Sequence, residues 1–399
     1  MNYRSRNNAA GDVNDSRDAS RLGYKERLHQ RRQRNLYRYV LVLLVCILVA
    51  FIIIQQFKNH IYTGYTIASS AQRTSTVGAT DIRLGGSVLT YSKDGAHCTN
   101  KDGETLWNQT YEFQDIKLAK NDKVVAIGAY NGREIFVLDE HQQLGTITTT
   151  LPIRNIAVAE NGNVTTILAD TDATWIRSFK PDGTLLFYGQ THMSNSGYPI
   201  AVNMSPNGNL LAISYVYVDA GNMKTSIAFY NLGAVGDNYK DCLVSGFDYP
   251  DVVPEVGFLS NSVAYAVGDG RLMLYQGSEQ PSILGEYLYD KEIKAVYSGN
   301  GNVGLVFASD KSEYRYKLDV YNSGGLRGSY YFNLEYTDLF FEKENIVIYN
   351  ESECIIQTYD GREKFNGSFQ ESVKLMIPDS GFYHYVLVGN STINKIQFN

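Results

Sequence analysis

Residues 153–188 read IRNIAVAENGNVTTILADTDATWIRSFKPDGTLLFY, and the fold follows from this stretch. Apolar and polar side chains alternate through Ile153–Val158 and again through Val164–Ala169, the period-two pattern of a half-buried strand. Between them stands Asn161-Gly162, residues that tolerate the positive φ of a type I′ hairpin. A third run ends in FKP, Asp182-Gly183 makes another tight turn, and TLLFY supplies a fourth strand. The stretch is an antiparallel meander of four short strands.

The same signals recur along the chain. The first turn of each unit contains Gly86, Asn121, Asn161, Asn207, Asn261, Asn300, Asn345 and Ser380, at intervals of 35, 40, 46, 54, 39, 45 and 35 residues. A second turn follows in all but the last unit, at Asp102-Gly103, Asp139, Asp182-Gly183, Gly233, Gly277, Gly324-Gly325 and Asp360-Gly361. Repeated four-stranded units of about 43 residues are the pattern of a β-propeller. The reading is an all-β propeller of eight four-stranded blades; seven is the alternative, because the interval from Asn207 to Asn261 is long. The last unit runs out after three strands, at TINKIQF. An open edge would leave backbone groups unpaired, so a segment within Ile61 to Val77 is expected to close the last blade as its outer strand.

The first sixty residues are of another kind. From Tyr39 to Phe57 the sequence YVLVLLVCILVAFIIIQQF has no charge, and at about 1.5 Å per residue such a helix spans a bilayer's hydrocarbon core. A cleaved signal would have a shorter apolar run and a small-residue cleavage site. Arg34 and Arg38 belong to a basic cluster on the N-terminal flank, whereas Lys58 is the nearby cation on the other side, which predicts a cytoplasmic N-terminus and an external C-terminal region. The expected organisation is a basic, partly disordered cytoplasmic tail (1–37), a transmembrane helix in contact with lipid (38–57), a short tether with the closing strand (58–79) and an extracytoplasmic propeller (80–399).

The stretches NKDGETLW (100–107), FKPDGTLLF (179–187) and YDGREKF (359–365) resemble the Asp-Gly turns of quinoprotein-like and outer-membrane-assembly propeller repeats. The family's Trp recurs at Trp107, with Phe187 and Phe365 at the analogous places, so the resemblance is to the repeat and to no active site. The whole layout of basic tail, single span and Tyr-rich repeats resembles an uncharacterised family of single-pass propeller proteins of Gram-positive bacteria. That resemblance implies a cell-membrane location and no assigned activity.

Composition excludes several classes. Residues 39–399 hold 26 Lys/Arg against 38 Asp/Glu, a balance that disfavours nucleic acid as a partner. Cys98, Cys242 and Cys354 are widely separated and read as small buried residues rather than a disulfide framework. The six His are unpaired at metal-ligand spacing, Asp170-Thr171-Asp172 lacks the rest of a calcium loop, and no nucleophile elbow or phosphate loop is present. Neither metal nor cofactor is expected. The glycosylation triplets at Asn108, Asn163, Asn203, Asn350, Asn366 and Asn390 carry meaning only in a glycosylating source.

Tyr330, Tyr331, Tyr383 and Tyr385 are candidates for a contact surface; the competing reading makes them filler between blades. Three functions follow. The preferred one is a non-enzymatic, membrane-tethered module that binds or scaffolds an envelope protein or surface polymer. The second is a propeller enzyme, a quinone-cofactor dehydrogenase or carbohydrate-acting hydrolase, with acids at inner-strand ends such as Asp81, Asp115, Glu255, Glu292 and Asp338. The third is a sensor signalling through the span. The oligomeric state is left open.

Overall fold

The computed structural model describes residues 29, 32, 35–52, 55, 56, 59–74, 78–192 and 197–399. The chain divides into two units, Met1–His60 and Ile61–Asn399. The first contains the 18-residue helix Asn35–Ile52, long and apolar enough to cross a membrane and with none of its residues buried. Arg38 lies exposed on this helix, whereas Arg34 and Lys58 lie outside the described residues.

The second unit is an eight-bladed propeller of four-stranded antiparallel sheets. Blades 1 to 7 span residues 80–110, 116–148, 153–191, 198–249, 255–288, 295–332 and 338–368, and blade 8 joins residues 375–398 to Tyr65–Gln72. The long fourth interval is not an irregular blade. It reflects the ten-residue strands Leu210–Asp219 and Asn222–Asn231 and the two short 3-10 turns that follow them.

Closure is as the truncated last unit requires. Tyr65–Gln72 pairs antiparallel with Thr392–Phe398, from Tyr65 opposite Phe398 to Gln72 opposite Thr392. Every other blade is one continuous meander, so the ring is shut by a strand from the opposite end of the chain.

Apolar side chains collect at each of the eight seams between blades. A propeller sheet buries both faces against its neighbours, which is why second strands such as Val124–Ala129, Val263–Gly268 and Asn345–Tyr349 are buried at every position. Continuous burial explains their unbroken apolar runs.

The Asn turns do more than reverse the chain. At Gly299–Asn302 the loop is type I′, with Asn300 at φ 47° and Gly301 at φ 73°. At Asn161 and Asn207 only the following glycine is left-handed, at φ 85° and 73°, which is the longer bulged hairpin rather than the two-residue one expected. The freed Asn groups stitch neighbouring blades. Asn121 Nδ2 donates to Val158 O at 3.2 Å, Asn161 Nδ2 to Asn207 O at 2.8 Å, and Asn207 N to Asn261 Oδ1 at 2.8 Å.

All these turns lie on one face of the ring, here the near face. There the chain also enters: Asn399 N donates to Gly64 O at 3.0 Å and Tyr62 N to Lys364 O at 2.7 Å. Antiparallel order puts the turns between second and third strands, and the connections from blade to blade, on the opposite, far face.

Candidate functional site

The expected acids are scattered through the ring rather than gathered. Asp81 accepts from Arg73 Nη2 at 2.8 Å and from Thr90 Oγ1 at 2.6 Å. Glu255 accepts from the Tyr265 hydroxyl at 3.2 Å, and Asp338 from that of Tyr349, also at 3.2 Å. Burial raises both of these carboxyls above their usual range, and the hydroxyl donors oppose it. Each of the three acids is held by a residue of the next strand or, for Asp81, also by the closing segment. Asp115 and Glu292 are exposed in connections between blades. Lys120 is open at its strand end yet surrounded by protein; loss of hydration lowers its ammonium, and Asp338 acts the other way. Among the described residues no group of three or more His, Cys, Asp or Glu is arranged to hold a metal ion.

The candidate tyrosines divide by depth. Tyr330 and Tyr385 are buried, with hydroxyls donating to Tyr359 O at 2.7 Å and to Glu342 Oε2 at 2.9 Å. Tyr383 is half-buried, with its ring 4.6 Å from that of Tyr62 on the near face. Tyr331 is half-buried under Lys311, whose Nζ lies 3.8 Å from the ring centre. Cys98 and Cys354 are buried and free, and burial pushes the Cys98 thiol up to about 12.

The far face of blades 2 and 3 carries a cluster that the sequence reading did not assemble. Tyr130 sits in the turn between the second and third strands of blade 2, with Arg154 Cζ 4.8 Å and Lys117 Nζ 5.4 Å from its ring centre. The turn is locked by backbone bonds: Tyr130 N to Asp115 O at 2.8 Å, Asn131 N to Ile153 O at 2.8 Å, and Ile153 N to Gly132 O at 2.9 Å. Asn131 holds φ 63°, a region Asn tolerates better than most residues, and its Oδ1 accepts from Arg154 Nη1. Arg133 Nη1 donates to Thr150 O, and Arg177 Nη1 donates to Thr150 Oγ1 at 2.8 Å. Arg177 also covers Trp175, 5.4 Å from ring to Cζ. Four cations and two aromatic rings thus share one rim, arranged by Tyr130, Asn131 and Thr150.

These side chains come from strands and loops spread over sixty residues of sequence. The signal that links them is positional: Lys117 and Arg154 sit next to the first residue of an inner strand, and Arg133 and Arg177 reach the single connection between blades 2 and 3.

The chain belongs to a family of unknown function, DUF5711, matched over residues 58–398. No curated protein matches the sequence. Among solved structures, Chaetomium thermophilum Sqt1 bound to the N-terminus of the ribosomal protein L10 is similar at 12% identity and a TM-score of 0.51, covering 82% of this chain and 100% of that one. Saccharomyces cerevisiae Sqt1 is similar at 12% identity and TM-score 0.49 (86% and 99% covered), and Moraxella catarrhalis BamB at 10% and 0.48 (84% and 100% covered). At 12% identity the likeness to the Chaetomium thermophilum protein is one of fold alone.

Proposed function

We propose that this is a single-pass membrane protein whose propeller is an extracytoplasmic, non-enzymatic binding module of the cell envelope. The apolar helix Asn35–Ile52 is the span, the basic residues before it keep the N-terminus cytoplasmic, and residues 58–79 tether and close the ring. One observation carries the binding reading. The rim around Tyr130 is a rigid cluster of cations and aromatic rings, on the face opposite the one where the chain enters. Arg and Tyr are residue types that anchor interfaces, and the rim's backbone bonds hold it in place before any partner arrives. The part-buried acids Asp81, Glu255 and Asp338 are engaged by neighbouring hydroxyl or guanidinium groups, which favours a structural role for them over catalysis.

The test is photo-crosslinking in intact cells from a residue placed at Tyr130, with a second probe at Phe382 on the near face. A discrete crosslinked partner from the Tyr130 probe, reduced with the other, is the expected result. Recovery of the protein without crosslinks from the far face would sink the reading. Topology is checked separately, by labelling an introduced far-face cysteine in intact cells with an impermeant maleimide.

A further inference from the structure

We propose that the rim around Tyr130 binds a short acidic peptide segment of a partner protein, its carboxylates held by Lys117, Arg133, Arg154 and Arg177. The proposal rests on the binding-module reading and names the chemistry of its partner.

The first support is charge left unpaired. Elsewhere in the propeller Lys101, Lys123, Lys224, Arg271, Arg315, Lys317, Arg362 and Lys395 each meet a carboxylate within ion-pair distance, and cations held instead by carbonyl, amide or ring groups, such as Arg83, Lys311 and Arg327, occur apart from one another; the rim is set apart by having four of that kind on adjoining strands and loops. Among the described residues the four rim cations meet none. They are held by neutral acceptors or by ring faces, in a chain whose residues 39–399 carry 26 cations against 38 acids. The carboxylates of the surrounding loops are Asp115, Glu134, Asp170 and Asp172. Asp170 accepts from Trp175 Nε1 at 3.3 Å and Thr171 N at 2.8 Å, all four are exposed, and so is Glu112 beside Asp115 in the connection between blades 1 and 2.

The second support is preorganisation. A guanidinium has five N–H donors in a planar fork. Arg133, Arg154 and Arg177 are each fixed through Nη1, so the opposite edge of each fork remains to take a carboxylate. Immobilising a free arginine would otherwise cost part of the binding free energy.

The third concerns the kind of anion. Tyr130 is 39% exposed and Trp175 is half-buried, so apolar faces alternate with the cations. A peptide in which acidic and apolar side chains alternate matches both. A long polyanion such as polyphosphate or single-stranded nucleic acid has no use for a patch this small, because continuing past it meets Asp115, Glu134, Asp170 and Asp172.

The experiment measures fluorescence anisotropy of a labelled peptide alternating Glu with Tyr, titrated with the full chain in detergent micelles. Saturable binding that weakens as salt rises is expected. The double variant Arg154→Gln/Arg177→Gln should weaken it by roughly tenfold or more, as loss of charge-assisted bonds predicts. Arg133→Gln, at an exposed loop position, is the second probe should the double variant lose its native melting profile. Arg315→Gln, whose partner is Glu335, should leave binding unchanged. The proposal is overturned by wild-type protein that does not bind the peptide, by rim variants that bind like wild type, or by polyphosphate or an oligonucleotide binding more tightly than the peptide. Peptide failure alongside a far-face crosslink in cells would discard the acidic class and leave the binding module standing. Absence of both would remove the module reading as well.

Discussion

Two seams of the same ring are built on opposite principles. Between blades 4 and 5 the contact is a thick apolar layer: Phe229 and Tyr275 are fully buried with ring centres 5.0 Å apart, Phe247 lies 5.1 Å from Tyr275, and Val244, Val253 and Met273 fill the gaps. The Tyr249 and Tyr275 hydroxyls satisfy each other at 2.8 Å. Between blades 8 and 1, where the ring shuts, Val88 is the sole fully buried residue that blade 1 adds to the apolar cluster. Ion pairs take its place: Lys101–Asp379 at 2.8 Å and Lys395–Asp102 at 2.6 Å join the two ends of the chain, and Arg73–Asp81 at 2.8 Å, eight residues apart, fixes the passage from the closing strand into blade 1. A seam formed inside a continuous chain can rely on non-directional burial. A seam that joins distant segments must also be specific, and charge pairs with fixed geometry penalise a misplaced strand more sharply than apolar contact does.

The comparison is broken most severely by removing Tyr65–Gln72. That deletion leaves Thr392–Phe398 as an unpaired edge, and the expected outcome is aggregation with loss of a single cooperative melt, read by gel filtration and calorimetry. Next come one point variant at each seam. Phe229→Ala should cost about 3–5 kcal/mol through the cavity it leaves. Asp81→Asn should cost a similar amount, about 3–5 kcal/mol, because it leaves the buried Arg73 guanidinium uncompensated. If chemical denaturation shows that Asp81→Asn is nearly neutral, the passage from the closing strand into blade 1 is not held by charge.

Lys101→Met and Lys395→Met sharpen the same contrast at lower amplitude. Both pairs are partly solvated, so each loss should be about 1 kcal/mol or less and should fade in high salt, while Phe229→Ala keeps its cost at any ionic strength.

The smallest effect is a difference in pH response. Burial pushes the Asp379 carboxyl up, but Lys101 and the Ser380 amide more than offset this and leave it below its usual range. Its contribution is therefore present above the unfolded value of about 3.9 and is lost as pH falls through the lower folded value. The Glu255 carboxyl is raised by burial against the Tyr265 hydroxyl. Its folded form holds the proton more tightly, so stability rises as pH falls from the folded value toward the unfolded one, about 4.3. Melting curves against pH should show Asp379→Asn flattening the acid loss and Glu255→Gln flattening the gain.

Much of this architecture was legible in the residues. The alternation around Asn161-Gly162, the recurrence of Asn turns and a last unit one strand short carried blade shape, blade number and the need for a closing strand, because period-two patterning and turn chemistry are local properties. The aromatic clusters were legible as clusters, but their depth was not. Tyr330 and Tyr385 are core while Tyr331 is half open, since neighbouring strand residues point to opposite sides of the sheet and only packing decides which side meets another blade.

What the sequence by itself determined is therefore the repeat, the apolar helix and the asymmetry of charge between tail and propeller, all encoded within tens of residues. Only the tertiary structure decided that Asn121, Asn161 and Asn207 stitch blades together, that Lys101 finds Asp379 and Lys395 finds Asp102, and that Lys117, Arg133, Arg154 and Arg177 converge on Tyr130 and Thr150. The physical reason is that curling the meanders into a ring brings equivalent ends of successive strands side by side. Charges tens of residues apart become neighbours through that closure, and no local pattern in the chain records it.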